Sequence, residues 1–216
     1  MSQLDPDDFV ITRKRKKYRF ALFHNSPLCF EYEEWDKTWQ PDCLEVGAGT
    51  GLYSVALAEA QPDKKFMALD VKGDRLQTGA RLAEEKGITN IRFVRARADQ
   101  LPELLSAHSL SSIWITFPDP FPKKRSSGRR LTHPMYLKTY QSLLGESGTL
   151  YLKHDSQDFF VWSLEQLVAE KWIINELSFD LHESELDEHY KIMTTYEKRW
   201  IDEGSVTHFV KASPPC

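Results

Sequence analysis

The stretch that decides the fold is Cys43-Leu44-Glu45-Val46-Gly47-Ala48-Gly49-Thr50-Gly51. A short apolar run passes directly into three glycines at a spacing of two, and residues 52–60 follow with the composition of a helix. Glycine permits a tight turn and lets backbone N–H groups approach a ligand. A tight turn with a purely structural role would also explain the three glycines. The stretch therefore predicts a strand, a glycine loop and a helix.

The spacing of the glycines narrows the choice of ligand. It is G-x-G-x-G and not the G-x-G-x-x-G of dinucleotide binders, and a carboxylate directly before it would repel a pyrophosphate. The same carboxylate could accept from an ammonium group such as that of S-adenosylmethionine. An acid also ends the next apolar run, at residues 66–70, where nucleoside-binding units contact ribose hydroxyls. The predicted cofactor residues are Glu45, Gly47, Gly49, Gly51 and Asp70.

A helix over residues 72–86, stopped by Gly87, and a third strand over residues 91–96 are predicted next. Arg97 and Asp99 follow this strand, where a side chain could reach the adenine ring of a nucleoside. Asp99 could equally cap a helix over residues 100–105. Both interpretations remain open, and both residues are candidates for contacting adenine.

The rest of the chain continues the alternation of strands and helices. Strands are predicted at residues 113–117, 149–155, 172–180 and 206–211, with helices over residues 134–144 and 158–170. This pattern indicates a Rossmann-like, doubly wound α/β fold with a mostly parallel sheet and antiparallel C-terminal strands. Ligands of such sheets bind at the carboxyl ends of the strands. Four carboxylates are expected along that edge, those of Glu45, Asp70, Asp119 and Asp155.

The strand at residues 113–117 leads into Pro118-Asp119-Pro120 and then into a basic loop. The two prolines restrict the backbone around Asp119, so its carboxylate is presented on a stiff segment. A common loop sequence and a solvated charged face would also explain the pattern, but its position at a strand end favours a site. The cations of the loop are Lys123, Lys124, Arg125, Arg129 and Arg130.

Composition limits the classes of function that are possible. The 216 residues are 41% hydrophobic, which is enough for a sizeable core. The formal net charge of −4 argues against a protein that coats nucleic acid over its whole surface. Cations still cluster at residues 13–19 and 123–130, where a phosphate backbone could bind, although the first cluster could be a solvated tail. Three scattered cysteines and the absence of a long apolar run predict a cytoplasmic protein with no metal and no membrane contact.

Two further segments complete the prediction. Residues 20–40 are rich in aromatic side chains and are expected to flank the main domain, so we divide the chain into a basic arm and flanking segment at residues 1–40 and a main domain at residues 41–216. Residues 192–200 combine hydroxyls and an acid with aromatic rings. From physical chemistry alone, an ordinary amphipathic segment explains them.

Five motifs, in this order and spacing, resemble the tRNA (guanine-N7)-methyltransferases. They are LEVGAGTG at residues 44–51, FPDPFPKKR at 117–125, RRL at 129–131, KHD at 153–155 and MTTYE at 193–197. The resemblance covers roughly residues 40 to 211, and the second motif followed by the double arginine is its most specific part. It implies a Rossmann-like methyltransferase domain that transfers a methyl group from S-adenosylmethionine to N7 of guanine 46 in the variable loop of tRNA.

The resemblance also implies roles for particular residues. Glu45 and Asp70 would hold the cofactor, and Asp119 would be the catalytic acid facing both cofactor and guanine. Tryptophan is usual in the family where Phe121 stands, and an acid or asparagine where Arg97 stands. The implied substrate and RNA contacts are Lys123, Arg125, Arg129, Arg130, Asp155, Thr194, Thr195, Tyr196 and Glu197.

Two other functions remain as alternatives. An enzyme of the same fold could methylate an exocyclic base amine, because an acid and a proline before an aromatic residue also serve that reaction. A catalytically silent RNA-binding module could keep the same fold. The expected partner is tRNA, and the protein is expected to be a monomer or a homodimer.

Overall fold

A computed structural model of the chain describes residues 3–193, 197–198, 201 and 204–215. These residues form two compact units, Met1–Leu104 and Leu105–Cys216. The division after Leu104 does not test the predicted boundary between residues 40 and 41, which stays a prediction.

The N-terminal unit is built on four parallel strands in the order β1-β4-β3-β2. The apolar side chains of the two middle strands are all buried, whereas Asp70, Arg92 and Arg95 are partly exposed. The strands are β1 (Cys29–Glu31), β2 (Cys43–Val46), β3 (Phe66–Asp70) and β4 (Ile91–Arg95).

Four helices belong to the N-terminal unit. Gly87 ends the third of them as predicted, with φ +69° and its N–H directed at the carbonyls of Ala83 and Glu84. The fourth spans only one turn and follows a 3₁₀ turn at Ala98–Gln100. The helices are α1 (Lys14–Asn25), α2 (Leu52–Ala60), α3 (Gly73–Lys86) and α4 (Leu101–Leu104).

Among the described residues of the C-terminal unit, four strands lie in the order β5-β6-β8-β7. The first pair is parallel, and β8 runs antiparallel to both of its neighbours. These strands are β5 (Leu110–Thr116), β6 (Leu144–His154), β7 (Ile173–Ser178) and β8 (His208–Ser213). Two helices described over their full length are α5 (Pro134–Leu143) and α6 (Gln157–Ala169).

Local sequence explains where these two helices begin. Pro134 occupies the first turn of α5 behind the His133 cap, and Ser156 caps α6 by accepting from the N–H of Phe159. Among the described residues, none of the helices is long and apolar enough to cross a membrane. No group of three or more His, Cys, Asp or Glu side chains within the same residues could hold a metal ion.

The predicted fold class is confirmed, and the structure differs from the prediction in residues 1–40 and at the start of β6. Within residues 1–40 the structure adds helix α1 and strand β1, which were not predicted as elements; Phe20 and Phe23 are buried and β1 pairs with β4. Strand β6 begins at Leu144, five residues before the predicted start at residue 149. Leu144 pairs with Leu110 there, so a local sequence pattern could not place this start.

Candidate active site

The glycine loop joins β2 to α2 and adopts a backbone that favours glycine. Gly47, Gly49 and Gly51 have φ angles of +74°, +57° and +70°. A Cβ atom at Gly51 would lie 2.6 Å from the Phe93 ring, whereas one at Gly49 would meet nothing within 4 Å. Packing therefore requires glycine at residue 51, and the loop is open beside Gly49.

Asp70, at the end of β3, binds this loop through a hydrogen bond to Gly49. One carboxylate oxygen accepts from the N–H of Gly49 and the other from the N–H of Lys72, both at 2.8 Å. Burial raises the pKa of Asp70, and the two N–H donors oppose that shift. A carboxylate has about four acceptor positions, so Asp70 can bind the loop and still accept from ribose hydroxyls.

Glu45 lies inside β2 and is 2% exposed. Its Oε2 atom accepts from the N–H of Ser54 at 3.2 Å and from the Ser54 hydroxyl at 2.5 Å. Ser54 is in the first turn of α2, where a negative charge is favourable. The carboxylate therefore fixes the start of α2 against β2, a role that the sequence did not indicate.

Arg97 and Asp99 bind each other at the surface. The guanidinium donates to both carboxylate oxygens, at 2.9 and 3.0 Å, and lowers the pKa of Asp99. Arg97 is the cap of the 3₁₀ turn at Ala98–Gln100. Asp99 lies within that turn, so the proposed cap of a helix over residues 100–105 is wrong.

A cavity of about 430 Å³ opens beside this turn within the N-terminal unit. Val71 follows Asp70 in sequence, and Ala96 follows β4, so part of the cavity wall lies at the carboxyl ends of two adjacent strands. The complete lining is Glu31, Tyr32, Glu33, Val71, Arg95, Ala96, Arg97 and Gln100.

In the C-terminal unit, His154 holds the loop that carries Asp119. Its Nδ1 atom accepts from the N–H of Ser156 at 2.7 Å, so Nε2 carries the proton and donates to the carbonyl of Pro118 at 3.0 Å. Nδ1 also lies 3.2 Å from a carboxylate oxygen of Asp155. Burial is the largest cause that lowers the pKa of His154. His154 therefore bonds to the backbone directly before Asp119 and lies beside the carboxylate of Asp155.

The backbone around Asp119 is strained. Phe117 and Phe121 have φ angles of +47° and +40°, a region that bulky residues avoid at a cost of about 1–3 kcal/mol each. The N–H of Phe117 donates to the carbonyl of Lys153 at 2.9 Å. Asp119 itself is exposed between these constrained positions.

The cations of the basic loop divide into two groups. Lys123, Arg125 and Arg129 are exposed, and the Arg129 guanidinium lies 4.4 Å from the centre of the Phe121 ring. Arg130 is only 9% exposed, lies 4.3 Å from the Trp162 ring and donates to the carbonyl of Phe121 at 3.1 Å. Arg130 therefore packs inside the unit and holds the loop at Phe121.

Lys153 and Glu197 form an ion pair that the sequence analysis missed. Both side chains are fully buried, and Nζ lies 2.8 Å from Oε2. A lysine inside an apolar strand requires a buried partner of opposite charge. The position of Lys153 in the predicted strand was therefore a sequence signal for such a pair. The other predicted residues of this motif, Thr194, Thr195 and Tyr196, lie outside the described residues.

Comparisons with solved structures define the class of the fold. The chain is similar to the 16S rRNA methyltransferase KamB, with a TM-score of 0.62, 16% identity, and coverage of 83% of this chain and 91% of that one. It is also similar to an antibiotic-related methyltransferase, with a TM-score of 0.61, 16% identity, and coverage of 95% and 96%. The fold is that of the methyltransferases.

Sequence comparisons define the family. A family model described as "Putative methyltransferase" matches residues 39–210. A tRNA (guanine-N(7)-)-methyltransferase of Brevibacillus brevis is 35% identical, with coverage of 90% of this chain and 91% of the relative. One of Cytophaga hutchinsonii is 36% identical, with coverage of 84% and 83%. The chain belongs to the tRNA (guanine-N(7)-)-methyltransferase family, which confirms the resemblance drawn from its motifs.

Proposed function

We propose that this protein transfers a methyl group from S-adenosylmethionine to N7 of guanine 46 in the variable loop of tRNA. The proposal is supported by the bond from His154 to the carbonyl of Pro118, directly before Asp119, and by the 3.2 Å separation of His154 from Asp155. It is also supported by relatives that are named tRNA (guanine-N(7)-)-methyltransferase. Two carboxylates match the N1–H and the N2 amino group of guanine. Adenine would leave these acceptors unpaired, which disfavours it.

The N-terminal unit has the groups that S-adenosylmethionine needs. Asp70 would accept from the ribose hydroxyls, and the open side of the loop at Gly49 would lie against the ligand. Val71 and Ala96 offer apolar surface to the adenine, with Arg97 at the rim of the same cavity. When bound, the cofactor supplies a methyl group made transferable by its positively charged sulfur.

The residues around guanine act mainly by positioning. N7 carries a lone pair and no proton, so attack on the methyl group requires no strong general base. The rate depends on alignment of the reacting atoms within about 3–3.5 Å. Asp119 would fix the base from a loop that His154 and Arg130 hold in place, and Asp155 would bind the same base beside it.

Exposed cations would bind the tRNA backbone. In the C-terminal unit they are Lys123, Arg125 and Arg129, and in the N-terminal unit they lie on the first turn of α1. Clustered cations release counterions from RNA on binding, so a net charge of −4 does not prevent local attraction.

The test is transfer of labelled methyl from S-adenosylmethionine to unmodified tRNA, followed by nucleoside analysis. We expect labelled N7-methylguanosine, which carries a fixed positive charge and therefore separates from the product of amine methylation. An N2-methylated guanosine would establish the same-fold alternative, and cofactor binding without any transfer would favour the silent RNA-binding module.

A variant pair tests the role of Asp119. Asp119→Ala should lose nearly all methyl transfer while keeping the melting temperature of the wild type, because Asp119 is exposed. Glu146→Ala removes another exposed carboxylate of the same unit and should retain full activity. Normal turnover by a folded Asp119→Ala protein would refute the assignment.

A further inference from the structure

The Lys153–Glu197 pair belongs to a buried network that joins four parts of the C-terminal unit. Lys153 Nζ donates to Glu197 Oε2 at 2.8 Å and to the carbonyl of Ile192 at 3.0 Å. The other carboxylate oxygen lies 2.8 Å from His182 Nε2 and accepts from the Thr207 hydroxyl at 3.1 Å. Glu197 is 1% exposed and Lys153 is 0% exposed.

This network occupies the carboxylate of Glu197. Three polar groups lie within hydrogen-bonding distance of its two oxygens, which have about four acceptor positions in all. Turning the carboxylate toward a nucleotide would leave the buried ammonium of Lys153 without its countercharge, which is strongly unfavourable. The geometry is that of an internal anchor.

The anchor connects to residues assigned to guanine binding. Lys153 accepts from the N–H of Phe117 through its carbonyl, and it immediately precedes His154 and Asp155. Glu197 immediately follows Tyr196 in the MTTYE motif. Removing either charge would therefore disturb the end of β6, which carries His154 and Asp155.

We propose that Glu197 is a positioning residue that acts through Lys153, and that it does not contact the target nucleotide. The inference rests on the proposed function and corrects the role that the family resemblance implies for Glu197. Lys153, His182 and Thr207 belong to the same positioning set.

A double-mutant cycle separates positioning from contact. Lys153→Met and Glu197→Gln each leave one buried charge uncompensated, so each should lower the melting temperature by about 10 °C and kcat on the order of 100-fold. The double variant Lys153→Met/Glu197→Gln is neutral, and its glutamine keeps an oxygen for His182 and Thr207. It should recover most of the melting temperature and at least about a tenth of wild-type kcat, with unchanged cofactor affinity.

A direct contact predicts the opposite result, because removing Lys153 cannot restore a lost contact to guanine. A folded double variant that is no more active than Glu197→Gln would overturn the inference. If the double variant does not fold, tRNA with inosine at position 46 decides. Positioning predicts that Glu197→Gln lowers kcat by the same factor on guanine and on inosine, whereas a contact with the N2 amino group predicts a clearly smaller factor on inosine, which lacks that group. Glu183→Gln, an exposed acid, is the control and should match the wild type. An inactive wild-type protein would refute the proposed function itself.

Discussion

Asp70 shows how one side chain can serve both the fold and the site. One oxygen accepts from the N–H of Gly49 in the glycine loop, and the other accepts from the N–H of Lys72, which follows β3. The proposed ribose contact uses the acceptor positions that remain. The position of this acid in the sequence predicted the ribose contact. The bonds to the loop required the structure, because they depend on the φ angles of the glycines.

Replacing Asp70 should weaken cofactor binding. Asp70→Ala removes the acceptor for ribose and for two loop N–H groups, each worth about 1–1.5 kcal/mol or more to a charged acceptor. We expect the dissociation constant for S-adenosylmethionine to rise by roughly 30-fold to 100-fold in calorimetry. Asp63→Ala, an exposed acid of the same unit, is the control. Equal affinities of the two variants would contradict the assignment.

His154 should make stability depend on pH. Burial lowers its pKa below the usual 6.5, so the unfolded chain binds a proton more readily than the folded protein as the pH falls. This stabilisation is complete above about pH 6.5 and is lost as the pH falls below that value. The melting temperature of the wild type should therefore fall more between pH 7 and pH 5 than that of His154→Gln. Parallel pH profiles would contradict this.

Among the elements, the basic loop after β5 combines two kinds of cation. The RRL motif predicted two RNA-binding arginines, but only Arg129 is exposed, and Arg130 packs against Trp162. Sequence could not separate them, because the distinction depends on a ring 32 residues further along the chain.

Substitutions in this loop should have separate effects. Arg125→Gln should leave the melting temperature unchanged and reduce the slope of log affinity for tRNA against log salt concentration by about 0.7–0.9, one phosphate contact. Arg130→Ala should lower the melting temperature by roughly 5 °C, because it loses a buried hydrogen bond and a cation–π contact. Equal effects of the two variants on stability would contradict the division.

Helix α1 has an unfavourable charge pattern at its start. Its first turn contains Lys14, Arg15, Lys16 and Lys17 and no acid, although the N-terminal end of a helix favours negative charge. Burial of Phe20, Ala21 and Phe23 stabilises the helix against this repulsion. No helix is predicted here from the sequence, because the run of charges obscures the apolar spacing of these three residues.

Neutralising this turn should change stability and RNA affinity in opposite directions. Lys14→Gln/Arg15→Gln should raise the melting temperature by a few degrees, since each cation costs about 0.3–1 kcal/mol at a helix start. The same variant should bind tRNA more weakly and with a smaller salt slope. Lys37→Gln/Lys64→Gln removes two exposed cations outside helices and should do neither. Unchanged tRNA affinity would remove α1 from the RNA-binding surface.

At the scale of the whole molecule, sequence periodicity predicted the elements whose signal is local. Strands β2 to β5 were predicted from short runs rich in apolar residues, and α3 from its glycine stop. What the sequence could not supply were contacts between distant residues. Lys153 and Glu197 lie 44 residues apart in the sequence. Strand β1 is short and is defined by its pairing with β4, which its local sequence does not indicate.

Methylation of N7 at guanine 46 can be measured on two unmodified tRNA transcripts, one with guanine and one with adenine at position 46. Each transcript is incubated with purified protein and labelled S-adenosylmethionine, and the products are separated by nucleoside analysis. We expect labelled N7-methylguanosine from the first transcript and none from the second. Equal labelling of both transcripts, or label in any other nucleoside, would contradict the proposed function.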